Sequence, residues 1–591
     1  VVTATVPSLE PLADAAAVPP PLPASPEGRV RAYHQRTKHH LQRYAAGPET
    51  LDWDAQPDPF RRWRGAPLER LPLPATALVR SGAPAWADLF NPGAVAPHPA
   101  DRNAIGLLLE LSFALAAWKQ HGPDRWAVRV NPSSGNLHPT EAYLLAHGVN
   151  GLADGLYHYA PREHALERRA ALAPGCTDQG VRLWVGLASI YWREAWKYGE
   201  RAYRYCQLDA GHALGALRYA AAVLGWRARV VQGLGDDVLC ALLGLDRAED
   251  FGDAEREVPD CLVELLPDPA APHDAASVLP RWIAEGSWRG SANRLDRHPM
   301  YRWPVIEDVA AAARRPVLQA EAPAQPGLAA PTATPVPVAA VPPSRRGAVE
   351  LIRGRRSAQR FDRRATLPRA ALERIVQALM PGALPWDALP GAVRVHPVLF
   401  AHRVDGLAPG AYLLPRSAPG ETLLREALGP NMDWLPVEGL PLWRLAENPA
   451  LAGTLRTIDC HQALGSDAAL AFALLAEFDQ TLHDAPLAFA LLAEFDQTLH
   501  DAPWRYRELL VEAGLLGQVL YLEAEAAGFN GTGIGCYFDD SLHELLGIEG
   551  TQVQSVYHFT IGAGLHDPRI QSMAPYAGRE EHAWTTDPSS V

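Results

Sequence analysis

Cysteine is scarce in this sequence: Cys176, Cys206, Cys240, Cys261, Cys460 and Cys536 are scattered through 591 residues, with no CxxC and no Cys/His metal spacing. That excludes a zinc module and disfavours a disulfide-built scaffold, so free thiols in a reducing cytoplasm are the simpler expectation. A basic excess is also missing. Lys and Arg total 54 against 67 Asp and Glu, a net charge of −13, which argues against a nucleic-acid partner. No uninterrupted run of about eighteen apolar residues occurs, so no transmembrane helix and no membrane partner are expected. The opening segment is rich in Ala, Pro and Val and lacks a basic n-region; residues 1–29 read as a disordered leader, not a signal peptide. What remains is an ordinary globular composition, 48% hydrophobic and 20% charged, too long for one core and long enough for two domains.

The clearest boundary is residues 316–346, a Pro/Ala-rich stretch that cannot bury a core and favours an extended spacer. It separates a domain at 30–315 from one at 347–575, with residues 576–591 as a tail. The halves are related. HGVNGLADGLY (147–157) recurs as HRVDGLAPGAY (402–412) at a shift of 255, and Tyr203-Arg204 and Ala210-Gly211 recur as Tyr506-Arg507 and Ala513-Gly514 at a shift of 303. The second register also pairs Gly225 with Gly528, Asp236-Asp237 with Asp539-Asp540, and Leu242-Leu243-Gly244 with Leu545-Leu546-Gly547. One register held through so many positions means two copies of one domain. The shifts differ, so copy two has gained chain. Part of the gain is an exact repeat, Leu470–Pro486 in Leu487–Pro503, which reads as a duplicated surface or helical segment without function.

Local patterns agree between copies. Gly211–Leu224 and Leu515–Ala527 carry apolar residues at helical spacing and stop at Gly225 and Gly528. Cys261–Pro267 and Val556–Ile561 read as short buried strands, and TEAYLLA as another. Helices mixed with strands predict an α+β domain, present twice.

Two half-motifs carry chemistry. In copy two, LIRGRRSAQRFD sets Arg355 and Arg356 beside Ser357, a phosphate cradle or a solvated basic helix start. In copy one, NPSSGNLHPTEAY offers Pro132, Ser133, Ser134 and Asn136 in a tight turn able to hydrogen-bond a polar ring, or simply a loop into a strand. Copy one lacks the RRS run, and copy two reads DALPG (387–391) where the turn should be. Each copy keeps what the other lost.

Together with the late glycine segment GTGIGCYFDD (531–540), these motifs resemble the flavin-dependent nitroreductase superfamily. The resemblance implies two fused nitroreductase-like domains, each a mostly antiparallel sheet wrapped by helices, forming an intramolecular pseudo-dimer with one FMN between them. It implies phosphate contacts from Arg355, Arg356 and Ser357, ring contacts from Pro132, Ser133, Ser134 and Asn136, and backbone N–H near Ile534 and Gly535 toward flavin N5. Gln232 stands opposite Gly535 in copy one, a sign of a decayed second site. Gln359 occupies a position that is basic in many relatives, and Arg569 is either a second phosphate contact or a surface arginine.

WKYGERAYRYCQLDAGH (196–212), with YHQRTKHH and DWDAQP near the start, is similar to the SagB/ThcOx-type dehydrogenases, which oxidise azolines in peptides to azoles. That resemblance implies hydride transfer to FMN, with Lys197 and Tyr198 managing protons; the alternative for the pair is an exposed helix position. The 303 register sets Lys197 and Tyr198 opposite His500 and Asp501, so the pair exists once. Expected partners are a small-molecule or modified-peptide substrate and a peptide-cyclising enzyme, with the chain a monomer or homodimer. Two other functions stay open, an NAD(P)H-dependent nitro or quinone reductase and a non-catalytic subunit of a peptide-modifying complex. His34, His39 and His40 lack accompanying Cys or carboxylate ligands and read as a solvated basic helix, so no metal is expected. The tryptophans are assigned to cores, and the Asp-Asp pairs to helix capping.

Overall fold

The computed structural model describes residues 23–172, 180–268, 288–317, 344, 346–382, 384–389, 391, 393–479 and 502–579. Most of the expected leader, linker and tail, together with His500 and Asp501, lies outside them. The leader ends earlier than expected, because Ser25 caps a helix at Pro26–Arg36 through its hydroxyl and Gly28 N (3.1 Å).

Each half builds a seven-stranded antiparallel sheet in which six strands keep the same order; the edge strand differs, coming before the other six in the chain in domain one and between Gly410–Leu413 and Trp443–Glu447 in domain two. In domain one the order is Leu68–Arg70, Ala165–Ala171, Gly155–Ala160, Thr140–His147, Arg182–Ser189, Val258–Leu266 and Arg227–Val230. In domain two it is Leu435–Pro436, Trp443–Glu447, Gly410–Leu413, Val395–Ala401, Leu470–Glu477, Val553–Gly562 and Asn530–Ile534. This is the mixed helix-and-sheet fold with two related regions that the sequence predicts. The two strands expected to be short run to nine and ten residues (Val258–Leu266 and Val553–Gly562) and are buried along nearly their whole length.

The exact repeat needs correcting. The first eight residues of its first copy are neither surface nor helical: Leu470–Glu477 is a fully buried inner strand between Val395–Ala401 and Val553–Gly562, and residues 480–486 lie outside the described residues. Of the second copy, only Ala502 and Pro503 are described. Part of the chain that domain two gained is instead the helices Ala418–Ala427, Leu451–Ile458 and Ala463–Asp467, which interrupt its sheet connections.

The halves meet along two 22-residue helices, Ala202–Val223 and Arg505–Ala526. Nearly every residue of both is buried, which explains why neither shows an amphipathic stripe. They cross where Gly211 faces Gly514. A Cβ on Gly211 would lie 2.1 Å from Val511 O and 2.9 Å from Gly514 Cα, and one on Gly514 would lie 2.0 Å from Leu208 O. Only glycine lets the backbones approach this closely.

The contacts around the crossing obey the 303 register. Tyr203 stacks on Tyr506, with centroids 6.3 Å apart and rings 13° from parallel. Arg204 of domain one binds Asp539 of domain two (3.1 Å), and Arg507 of domain two binds Asp236 of domain one (2.9 Å). These aspartates open helices, but they are not their caps: Gly235 and Phe538 hold the cap positions. Their carboxylates neutralise buried arginines of the opposite domain, and those cations hold Asp539 far below the usual carboxylate range against a strong desolvation cost. The histidines also depart from expectation, because His34 and His39 are buried. His34 Nδ1 lies 3.1 Å from Tyr506 Oη, and burial drives its imidazole well below the ordinary pKa.

Strand exchange ties the halves further. Gln571–Met573 of domain two pairs with Leu115–His121 of domain one, and Tyr576 in the expected tail donates to Pro161 O (2.6 Å). The helix Ala348–Gly354 contributes Ala348, Val349, Leu351 and Ile352 to the same apolar cluster as Leu107 and Leu217. Gly211→Val should therefore separate the long helices and cost about 3 kcal/mol or more. Gly453→Ala, with open space around it, should be neutral or stabilising; equal melting temperatures for the two variants would contradict the crossing argument.

Candidate active site

A cavity of about 500 Å³ opens between the domains. Domain one lines it with Pro132–Asn136, Tyr198, Tyr205, Asp209 and His212, and domain two with Arg355–Gln359, Tyr521, Gly533–Cys536 and Tyr557. The two half-motifs thus share one wall. Trp126 also lines it, so not every tryptophan lies wholly in a core.

Arg355 follows directly on the helix Ala348–Gly354 and is 2% exposed. Its Nε donates to Val130 O at 3.2 Å, its guanidinium lies 4.8 Å from the Tyr521 ring centroid, and its Nη1 has no partner. Arg356 spends its donors on the carbonyls of Arg353, Arg355 and Ala116. Neither forms an ion pair with a described residue. Burial lowers both guanidinium groups, Arg356 to about 10. Two adjacent cations with no carboxylate at ion-pair distance, Glu525 acting on both only from farther off, and one free buried donor make a wall suited to an anion. Ser357 Oγ is 2.9 Å from Tyr521 Oη, which accepts from Gly533 N (3.1 Å). Gln359 lines the cavity beside them.

The facing turn is held by a residue not singled out in the sequence. Asp209, buried on the first long helix, accepts from Ser134 N (3.0 Å) and Ser134 Oγ (2.9 Å). Ser133 Oγ accepts from His138 N (2.8 Å), and Asn136 Nδ2 donates to Ala127 O (2.9 Å). The polar side chains of the turn are therefore partly used in shaping it. Gly135 sits at φ +58, with Tyr198 Oη 2.6 Å and Lys197 Nζ 3.2 Å from where a Cβ would be. Burial raises Asp209 to about 7, against the opposing pull of the serine hydrogen bonds. The signal was present in the sequence: Tyr205, Asp209 and His212 fall at i, i+4 and i+7 and so share one face of the helix.

Lys197 and Tyr198 end the helix Tyr191–Tyr198. Tyr198 lines the cavity, whereas Lys197 lies behind the turn, its Nζ 5.3 Å from the Trp53 ring centroid. Burial lowers the lysine and raises Tyr198 well above the ordinary phenol value. Glu194, one turn earlier, is fully buried with both carboxylate oxygens unpartnered, and burial together with Asp209 pushes it well up. A carboxyl kept neutral gives Lys197 little compensation for its own desolvation.

From the late segment, Ile534 and Gly535 line the cavity, and Arg201 of domain one donates to Gly535 O through Nε (3.2 Å) and Nη2 (3.1 Å). Arg569 is exposed and chelates Asp567 at 3.0 and 2.7 Å. It does not line the cavity, although Asp567 and Ile570 do. No group of three or more potential metal ligands gathers among the described residues, and no described helix is long and apolar enough to cross a membrane.

Comparison with known proteins agrees with this architecture. The Nitroreductase family model matches residues 115–252 and 445–563, one stretch in each domain. A Methanocaldococcus jannaschii protein assigned as a nitroreductase is 30% identical over 132 residues, 20% of this chain, and the chain spans 64% of that relative's length. The crystal structure of an Anabaena variabilis protein assigned as a nitroreductase superposes with a TM-score of 0.63 at 20% identity, over 91% of this chain and 99% of its own. An Exiguobacterium sibiricum structure assigned likewise, in complex with FMN, matches at 14% identity over 37% of this chain and 88% of its own, with a TM-score of 0.22, too slight a likeness to inform the site. Both halves of the chain therefore have the nitroreductase fold, and each contains one stretch that matches the Nitroreductase family model.

Proposed function

We propose that the chain is an FMN-dependent oxidoreductase of the SagB/ThcOx type, working in the cytoplasm with one composite site between its domains. Its substrate would be a small molecule or a modified peptide, an azoline that leaves as an azole, supplied by a peptide-cyclising partner enzyme. The observation that carries the reading is the shared cavity, where the unpartnered Nη1 of buried Arg355 faces the requirement of an anionic group. The residues fit FMN: Arg355, Arg356 and Ser357 would hold its phosphate, with Gln359 beside them. Pro132, Ser133, Ser134 and Asn136 would flank the ring opposite Ile534 and Gly535.

When bound, FMN supplies a two-electron acceptor for hydride. The chain supplies the proton chemistry. Tyr198, at the cavity wall and held protonated by burial, would donate, and Lys197, behind the turn with its Nζ 5.2 Å from the Tyr198 ring centroid, would take up protons through it. Asp209 fixes the turn that separates Lys197 from the cavity. Since the fused halves already supply the paired interface, a monomer suffices, and Arg569 would at most screen the phosphate from the rim.

Three outcomes test this. Arg355→Met should weaken FMN binding roughly 10- to 100-fold, the loss of a charge-assisted hydrogen bond, at unchanged far-ultraviolet circular dichroism; full retention of FMN would refute the phosphate assignment. Below about 7 Asp209 is neutral, and above it the carboxylate adds negative charge to the cavity wall. FMN affinity should fall roughly 3- to 10-fold as pH rises through that value, and Asp209→Asn should lose this step. Finally, an azoline peptide should bleach the anaerobic flavoprotein in a single turnover, with Lys197→Ala slower by roughly 100-fold. Bleaching by NADPH alone would favour a nitro or quinone reductase, and failure to take up FMN a non-catalytic subunit.

A further inference from the structure

Cys460 and Cys536 stand 76 residues apart in sequence, yet their sulfurs lie 2.8 Å apart. Cys536 is part of the cavity wall, immediately after Gly535. Cys460 lies between the helices Leu451–Ile458 and Ala463–Asp467, in the chain that domain two gained over domain one. We infer that these two residues are a dithiol–disulfide couple, a redox site in the cavity wall that exchanges two electrons with low-molecular-weight disulfides of the glutathione type.

The approach of the two sulfurs is built rather than incidental. Phe538 N donates to Ile458 O (2.7 Å) and Gln462 Nε2 donates to Cys536 O (3.1 Å), so the segments are clamped together on both sides of the pair. Asp459 is fixed by His558 Nδ1 at 2.7 Å. Cys460 and His461 hold φ of +52 and +61, an uncommon conformation for residues with side chains, which turns the loop toward Cys536. Arg201, anchored on Gly535 O, lies 5.0 Å from the Tyr537 ring centroid, and its charge lowers both thiols. Cys536 lines the cavity and Cys460 does not, which assigns Cys536 as the nucleophile reached from the cavity and Cys460 as the resolving thiol behind it. The other described cysteines are poor competitors: burial raises Cys206 well up, Cys240 to about 11 and Cys261 to about 12.

The exchange balances. The Cys536 thiolate attacks one sulfur of oxidised glutathione, forming a mixed disulfide and releasing a glutathione thiolate. Cys460 then attacks the Cys536 sulfur, the second glutathione leaves as thiolate, and the two protons given up by Cys536 and Cys460 pass to the two released glutathione thiolates. Two protein thiols are oxidised and one glutathione disulfide is reduced to two thiols. Neither step involves FMN, so the inference stands or falls apart from the cofactor assignment.

The test uses the full chain, reduced and then equilibrated in glutathione buffers of graded redox ratio, acid-quenched, alkylated with N-ethylmaleimide, digested and mapped by mass spectrometry. The expected result is a peptide pair joined through Cys460 and Cys536, rising as the buffer becomes oxidising and falling on back-titration. Cys460→Ser should trap glutathione on Cys536. Maleimide on both residues at every ratio in the unmodified sequence would overturn the inference. So would stable glutathione on Cys536 with Cys460 still free. The peptide map of the wild-type protein decides the matter even where a variant fails to fold.

Discussion

The contact between Gly211 and Gly514 sets the geometry on which the remaining features depend. Two helices buried on all sides can cross this closely only where neither carries a side chain. The crossing brings Tyr203 onto Tyr506 and carries Arg204 and Arg507 into the opposite domains, where Asp539 and Asp236 meet them. Buried arginines of this kind are costly unless paired, so the ion pairs make the two-domain arrangement nearly obligatory, whatever their net contribution to stability. The same helices present Tyr205, Asp209 and His212 from one side and Tyr521 from the other to a common cavity.

The charges around that cavity are unevenly settled. Away from it, each buried arginine of the crossing has a carboxylate. At its wall Arg355 and Arg356 have carbonyls only, and one donor is left over. Across from them Asp209 and Glu194 are raised by burial, and Lys197 is lowered. Such opposed shifts within one cluster are what proton transfer near neutrality requires.

Duplication made much of this legible. Paired positions such as Arg204/Arg507 and Asp236/Asp539 were visible as a register, and complementary loss of motifs pointed to a site shared by both halves. Their role was not visible. Read along the chain, an Asp-Asp pair before a helix is a capping signal; only the opposing domain turns it into the partner of a buried cation. The repeat at Leu470 misled for a similar reason, because an exact duplication says nothing about which copy occupies the sheet. Leu470–Glu477 fills an inner strand position with apolar side chains on both faces, and helical and strand readings of such a run are indistinguishable without neighbours. Asp209 is marked in the sequence only by its helical spacing from Tyr205 and His212; that it holds the Ser134 turn depends on packing.

The sequence by itself determined that the protein is two copies of one α+β domain, because periodicity and an ungapped register are properties of the chain alone. It also singled out Arg355–Ser357 and Pro132–Asn136, since turn and helix-start chemistry is local. Which side chains face one cavity, which charges remain unpaired, and which thiols touch were decided by the tertiary structure. Burial and proximity between residues such as Cys460 and Cys536, or Asp209 and Ser134, arise only when distant segments pack, and no local pattern encodes the dielectric and charge environment that packing creates.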